Sequence, residues 1–508
     1  AIVGNGTSMV TLYYLRRFLG HFNQLLCNIK ISEIEVTSQV YWWFENIRKI
    51  VTDSSIKHDA CSDRERMFYL SSLGKIFEKY RDEVRGSDLT EKENISVKKA
   101  KNFITAFCLH IDDTIYLNKS EDNLFEAYNT IKINEKEETV NVKKLDLMLE
   151  GQVAALSSQI LDTSDIIATL ASLFSSELYR SDMKSFILYP EKELTPFLKK
   201  NIIDPESLQR SNILQQMIVE KNSLIVDVDH DGNYRFNSSF RNSFDLNHAL
   251  NSLKNEDILT GVDNEELEII FKIFESVFNH RDFTGRSGTM FSYEGIGSIY
   301  WHMISKLLLA TQECYFSILK NNDTLENELN TLSSLYYTIR NGLSSDKTPA
   351  EYGAFPFDPY SHTPSHSGAQ QPGMTGQVKE EILTRFGELG CFIEDGSIVF
   401  KPYLLRSNEF LLNRRAFWYF DTTNKKINLS IKKNQLAYTY CQVPVIYSKT
   451  ESGFSLKLTF KDGKEKIIKG NKIDRSTSQS IFSRSGKVQR IDFSVDLKKL
   501  FNKSSVNK

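Results

Sequence analysis

Along most of the first 345 positions, apolar residues return every three or four places, the spacing of an amphipathic helix. The pattern predicts helices over about 10–26, 37–51, 62–85, 97–116, 140–161 and 164–179, and then over 207–220, 264–279, 297–319 and 325–343. Ser62 is placed to cap the third of these, in which Met67, Leu70, Leu73, Phe77 and Tyr80 share a face. No fixed-period motif of the solenoid kind recurs. Ten or so helices with sizeable apolar faces, joined by long irregular connectors, suit a helical toroid or a layered bundle. A further helix is predicted from Thr375 to Leu389, and there the period changes. Short alternating runs at 391–393 and 397–400 flank Glu394-Asp395-Gly396, a hairpin turn. Alternation continues through 416–420, 427–431, 436–447, 454–460, 466–472 and 488–495, with a second turn at Lys461-Asp462-Gly463. Several short strands at this spacing predict a β-sandwich of about 110 residues. Residues 502–508 read as a frayed tail. The fold class is mainly α with a β domain, a helical domain over 1–390 and a β-sandwich over 391–508.

Between the two patterns runs a long loop, from Asn341 toward the helix start at Thr375-Gly376. It gathers half of the chain's ten prolines, two of its nine histidines and a Gln-Gln pair. Loops longer than about 12 to 15 residues within a compact domain are uncommon and are either functional or disordered. Tyr352, Phe355, Phe357 and Tyr360 favour the first, because disordered linkers are poor in aromatics. The loop reads as one wall of a binding site.

Charge adds little. Lys plus Arg number 63 and Asp plus Glu 65, for a net charge of −2. The signs are interspersed, so nothing asks for nucleic acid or an anionic membrane. Aromatics make up 12% of the residues, enough for packed helices and for sugar-stacking surfaces. The six cysteines are scattered without a short paired spacing, which argues against a zinc site or a disulfide framework and fits a reducing, cytoplasmic compartment. No apolar run approaches the ~18 residues that would span a bilayer. The N-terminus lacks an initiator Met and the features of a signal peptide, and it reads as entry into the middle of a protein.

Asp227, Asp229, Asp231 and Gly232 have the spacing that begins a calcium loop, but the twelfth position, which needs a bidentate carboxylate, is Ser238. A β-turn at Asp231-Gly232 between two short strands explains the stretch better. Tyr300, Trp301 and His302 stand just inside the start of an apolar helix, after Gly295 and Gly297. A helix start offers free N–H groups and a field that favours anions, while a buried histidine among aromatics accounts for the same residues. Thr375 and Gly376 repeat the logic at the next helix, where an ordinary Thr N-cap is the simpler alternative. For acid/base chemistry the best-placed carboxylates are Glu121 and Asp122 on a loop between helices, and Glu150 in LDLMLEGQVAAL. A G-x-S-x-G elbow, a Walker loop, a dinucleotide fingerprint and H-E-x-x-H are all absent.

A helical domain ending in a loop with Tyr and His, a Thr-Gly helix start, and a β-domain opening EDGSIVFKPYLL together resemble the C-terminal half of the cellobiose and chitobiose phosphorylase family. Members of that family are inverting glycoside phosphorylases with an (α/α)6 barrel and a jelly-roll-like C-terminal sandwich. The resemblance implies phosphate held by His302 on a barrel helix, by Thr375 with Gly376, and by a glutamine in the preceding loop. His362, after the Asp358-Pro359-Tyr360 run, sits nearest the place of that glutamine, with Gln371 a second candidate. Tyr300 and Tyr360 join these as substrate-side residues. The family's general acid is an Asp within a D-W-N-D-G-like motif that does not occur here; Asp122 falls in the corresponding region upstream of GQVAAL, among neighbours that do not match. The family's early arginine and N-terminal sandwich would precede Ala1, so the chain resembles a truncated or divergent member.

The expected activity is phosphorolysis of β-linked gluco-oligosaccharides to a sugar 1-phosphate. Inorganic phosphate is the co-substrate, with no cofactor and no metal, and the architecture is compatible with a homodimer. Two other functions stay open: a glycoside hydrolase on the same barrel, which needs a second carboxylate, and a non-catalytic carbohydrate-binding or scaffold protein.

Overall fold

The computed structural model describes residues 6–52, 61–86, 88–145, 147–190, 196, 199–255, 264–278, 299, 301–320, 326–343 and 375–501. It divides into two compact units, one of residues 1–7, 130–132 and 190–297, the other of 8–129, 133–189 and 298–508. That division falls inside a stretch whose helical periodicity gives no sign of it.

The larger unit begins with helices, several of which start at the ends of short strands. Strand Glu33–Thr37 pairs antiparallel with Lys92–Ser96, and each runs directly into a helix, Ser38–Val51 and Val97–Leu117. Thr37 and Ser96 accept from Val40 N and Lys99 N, the N-cap bonds that stop a strand and start a helix. The helix Asp63–Gly86 opens on the expected Ser62 cap, with Glu65 reaching back to Ser62 N at 2.7 Å to close a capping box. Its apolar face is not core, since Phe68, Leu70, Leu73 and Phe77 are exposed, while Tyr80 stacks on Trp43 of the neighbouring helix at 5.1 Å. The helix expected over 140–161 is corrected to a strand, Thr139–Lys144, followed by the helix Leu149–Ser157. The cause is local: Thr139, Val140 and Val142 are β-branched, and Val140 and Val142 alternate with Asn141 and Lys143, which suits a pleated strand.

The helices Trp301–Leu319, Glu326–Gly342 and Thr375–Leu389 form the centre of this unit together with Leu149–Ser157. Gly390 ends the last of them at φ +70°, and a Cβ there would lie 2.1 Å from the Lys401 carbonyl carbon. Gly390→Ala is therefore expected to lower stability by at least ~2 kcal/mol, left-handed strain plus a clash with fixed backbone, measured by urea unfolding.

The strand-rich end follows. Cys391–Glu394 pairs with Ser397–Phe400 across the expected turn, where Asp395 and Gly396 both take positive φ, the requirement of a type I′ hairpin. The main sheet has five strands in the order Gln435–Tyr440, Val443–Thr450, Val488–Asp496, Ser455–Phe460 and Glu465–Lys469. Val443–Thr450 and Val488–Asp496 run parallel, and the other neighbours run antiparallel. The single run expected over 436–447 is corrected to two strands, because Cys441 and Gln442 turn the chain at φ 48° and 64° without a glycine. Helix Arg475–Phe482, capped by Asp474, packs beneath the sheet and joins a core around Phe400, Tyr447 and Phe493.

The smaller unit has its own core, in which Ile213, Leu214 and Met217 of helix Asn212–Val219 meet Leu246 and Leu250 of Ser243–Asn255 and Ile270 and Phe274 of Asn264–Phe278. The helix expected over 207–220 is broken, because Ser211 caps a new start at Asn212. Between these elements Val226–Val228 pairs with Tyr234–Phe236 across the Asp231-Gly232 turn, as expected.

Candidate functional site

Helix Trp301–Leu319 is apolar almost all round and buried accordingly, packed against Leu149–Ser157 on one side and Thr375–Leu389 on another. His302 and Lys306 lie four residues apart and share a face near its start. The helix Thr375–Leu389 is turned opposite to the usual sense. Gln377, Glu380, Thr384 and Glu388 are buried, whereas Val378, Ile382 and Leu383 are 56%, 53% and 49% exposed. Its polar face can be buried because the neighbouring helices supply partners. The Gln312 side-chain amide donates to Thr384 O at 2.8 Å, and Tyr336 donates to Glu388 at 2.7 Å. Gly387 lets Gln312 in, since a Cβ would lie 2.0 Å from its Oε1.

This packing brings two helix starts together. Glu380 Oε1 is 3.6 Å from His302 Nε2 and 3.4 Å from Lys379 Nζ, the first an electrostatic contact rather than a hydrogen bond. The imidazole is held below its ordinary value by burial first; Lys306 and Lys379 push the same way and Glu380 pulls it back. One turn nearer the helix start, Gln377 is 5% exposed and donates to Glu381 at 2.9 Å, while its Oε1 has no hydrogen bond among the described residues. A buried acceptor of this kind suits a ligand that supplies a donor.

A third wall comes from helix Met9–Asn28. Arg17 makes two bonds to Glu313, at 2.6 and 2.8 Å, which ties this helix to Trp301–Leu319. One turn back, the Tyr14 phenol is raised by burial first. A bond with Ser157 and the charge of Arg17 oppose that, while Glu150 and Glu380 add to it. Glu150, half-buried in the first turn of Leu149–Ser157, accepts from Tyr128 at 2.8 Å.

The sequence candidates fall into three groups. His302 and Glu150 belong to this cluster. Asp122 and Glu121 are exposed in a tight turn that Ser120 N closes onto Leu124 O at 2.7 Å, and no contact among the described residues joins Asp122 to the cluster. Thr375 and Gly376 open their helix as expected, with only their backbone described, while Tyr300, Tyr360, His362 and Gln371 lie outside the described residues. Glu380, Gln377, Tyr14 and Arg17 went unnoticed in the sequence. The first two carried a signal, a polar stripe at helical spacing directly after Thr-Gly; the last two carried none.

Among the described residues no group of three or more His, Cys, Asp or Glu is placed to hold a metal, and no helix is long and apolar enough to cross a membrane. The Asp229 carboxylate of the calcium-like stretch is instead used within its own hairpin, pulled down by its bond with Arg235 at 2.6 Å and by Asn233.

No curated protein matches the chain. Residues 194–281, within the smaller unit, match the family model described as GH149 phosphorylase insertion domain 2, and this supports a glycoside phosphorylase-related family for the chain.

Proposed function

We propose that the chain works as an inverting glycoside phosphorylase, converting β-linked gluco-oligosaccharides and inorganic phosphate to a sugar 1-phosphate and a shortened sugar. The observation that carries this is the match of 194–281 to a phosphorylase insertion domain. The helical part of the larger unit is then an (α/α) barrel and the strand-rich end its jelly-roll-like sandwich. Phosphate is already a nucleophile and needs positioning more than deprotonation. A cradle of amides at two helix starts, with His302, Thr375, Gly376 and either Gln371 or His362, suits that task better than a second carboxylate. Tyr300 and Tyr360 are assigned to the sugar side, and no cofactor is required.

The test is phosphate release from glucose 1-phosphate with a panel of sugar acceptors, together with phosphorolysis of β-linked glucose disaccharides. Phosphate-dependent turnover is expected. His302→Asn is expected to raise the KM for phosphate at least about ten-fold, equivalent to one lost charge-assisted contact of ~1.4 kcal/mol, with a smaller change in the sugar KM. Turnover without phosphate would make the chain a hydrolase, and sugar binding without turnover would make it a binding protein.

A further inference from the structure

We infer that Glu380 is a positioning residue for phosphate, the counter-charge that lets His302 meet the anion as an imidazolium, so that phosphate binds together with a proton; the inference rests on the phosphorylase reading above. Glu380 Oε1 stands 3.6 Å from His302 Nε2, between two helices that pack side by side, Thr375–Leu389 and Trp301–Leu319. Glu380 is 5% exposed, and Nε2 is itself buried. On the same helix Val378 and Ile382 face water, so a carboxylate has been turned inward where apolar side chains were at hand. Burying a carboxylate is costly unless a cation meets it. Lys379 approaches the same oxygen at 3.4 Å, but its side chain is 68% exposed and its charge is screened. The imidazole is the partner on the buried side.

The chemistry of the two acceptors sets the protonation state. A carboxylate and a phosphate oxygen both accept hydrogen bonds, and an imidazole with one proton donates only one. Neutral His302 can therefore serve Glu380 or phosphate, whereas the imidazolium serves both. Charge-assisted bonds of this kind are also the stronger ones.

The groups that act on His302 most, after burial, lie on its own helix and on Thr375–Leu389. Burial first, and then Lys306 and Lys379, hold the imidazole below its ordinary value, and Glu380 is the group that opposes them. The second proton thus arrives with the anion, which adds a second negative neighbour. Two other helices pack against Trp301–Leu319. Leu149–Ser157 brings Glu150, which accepts from Tyr128 at 2.8 Å. Glu326–Gly342 brings Glu326 and Glu328 in its first turn, and Arg340, which is paired with Glu388 at 3.0 Å.

The test is the pH dependence of the phosphate KM in the full chain, in Glu380→Gln and in Lys379→Gln, with a β-linked glucose disaccharide as the other substrate. In the parent this KM is expected to rise with pH as the imidazolium is lost. Glu380→Gln keeps the size of the side chain and removes its charge. Its phosphate KM is expected to stand at least about five-fold above the parent's at neutral pH, to converge with it in acid, and to leave the sugar KM unchanged. Lys379→Gln, an exposed change, removes a cation and is expected to move the rise to higher pH, the opposite direction. The ionisation of phosphate itself is common to all three proteins and cancels in the comparison. A KM raised equally at every pH in Glu380→Gln, or not raised at all, overturns the inference. Should Glu380→Gln fail to fold, Lys379→Gln decides alone, and a rise that stays in place or moves to lower pH overturns it. If the parent has no phosphate-dependent turnover, the phosphorylase reading fails, and the pair is judged by NMR titration of the His302 imidazole, assigned with His302→Asn, with and without inorganic phosphate. A midpoint that phosphate raises in the parent, and raises less in Glu380→Gln, supports the inference; a midpoint indifferent to phosphate or to Glu380 overturns it.

Discussion

Glu388→Ala is expected to destabilise the larger unit by about 3 kcal/mol, the cost of breaking a buried ion pair from one side. Glu388 is 1% exposed and receives three donors: Tyr336 at 2.7 Å, Arg385 at 2.8 Å and Arg340 at 3.0 Å. Those donors come from two helices, Glu326–Gly342 and Thr375–Leu389, so one carboxylate joins both. Removing it leaves the fully buried Tyr336 hydroxyl without its acceptor and the partly buried Arg340 charge without its partner. The figure stays at the low end of the range for such pairs because Arg385 keeps Glu409 at 2.7 Å. Glu388→Gln, which retains an acceptor for Tyr336, is expected to lose roughly half as much. Urea unfolding decides the matter, with Asp462→Ala as the reference. Its pair with Lys464 is exposed, and its loss is expected to leave the urea midpoint almost unchanged. Equal effects at the two positions would mean that the buried network does not hold the helices.

The elements that the sequence made legible are those with a local cause. The Ser62 cap, the turns at Asp231-Gly232 and Asp395-Gly396, and the helix from Thr375 to Leu389 each depend on a few neighbouring residues, and each is where the pattern puts it. The stretch over 140–161 misled because Val142, Leu145, Leu149, Val153 and Leu156 recur at helical spacing, while the strand signal rests on Val140 and Val142 alone. Cys441 and Gln442 hide a tight turn because neither residue advertises positive φ.

The orientation of Thr375–Leu389 lies deeper. Periodicity gives a helix two faces, and the usual rule sends the polar one to water. Here the neighbours carry Gln312, Tyr336 and Arg340, and with those partners burial of Glu388 and Thr384 becomes affordable. Half of the candidate site follows from that reversal, since Gln377 and Glu380 are on the inward face only because of it. His302 was legible from its helix start, whereas Arg17 reaches the same helix, at Glu313, across 296 residues of sequence, a distance no local pattern records.

Gln152→Leu is expected to lose about 2 to 5 kcal/mol, because an apolar side chain of similar size leaves both polar groups of the Phe125 backbone buried and unbonded, at about 1–3 kcal/mol each. Gln152 and Phe125 are both fully buried. The amide accepts from Phe125 N at 2.8 Å and donates to Phe125 O at 2.7 Å and to Met148 O at 3.1 Å. One side chain thus clamps the 125 segment to the helix that carries Glu150. Its loss is expected to appear as a lower urea midpoint with an unchanged slope. A variant as stable as the parent would show that backbone packing at Gly151, and not the Gln152 amide, holds this helix in place.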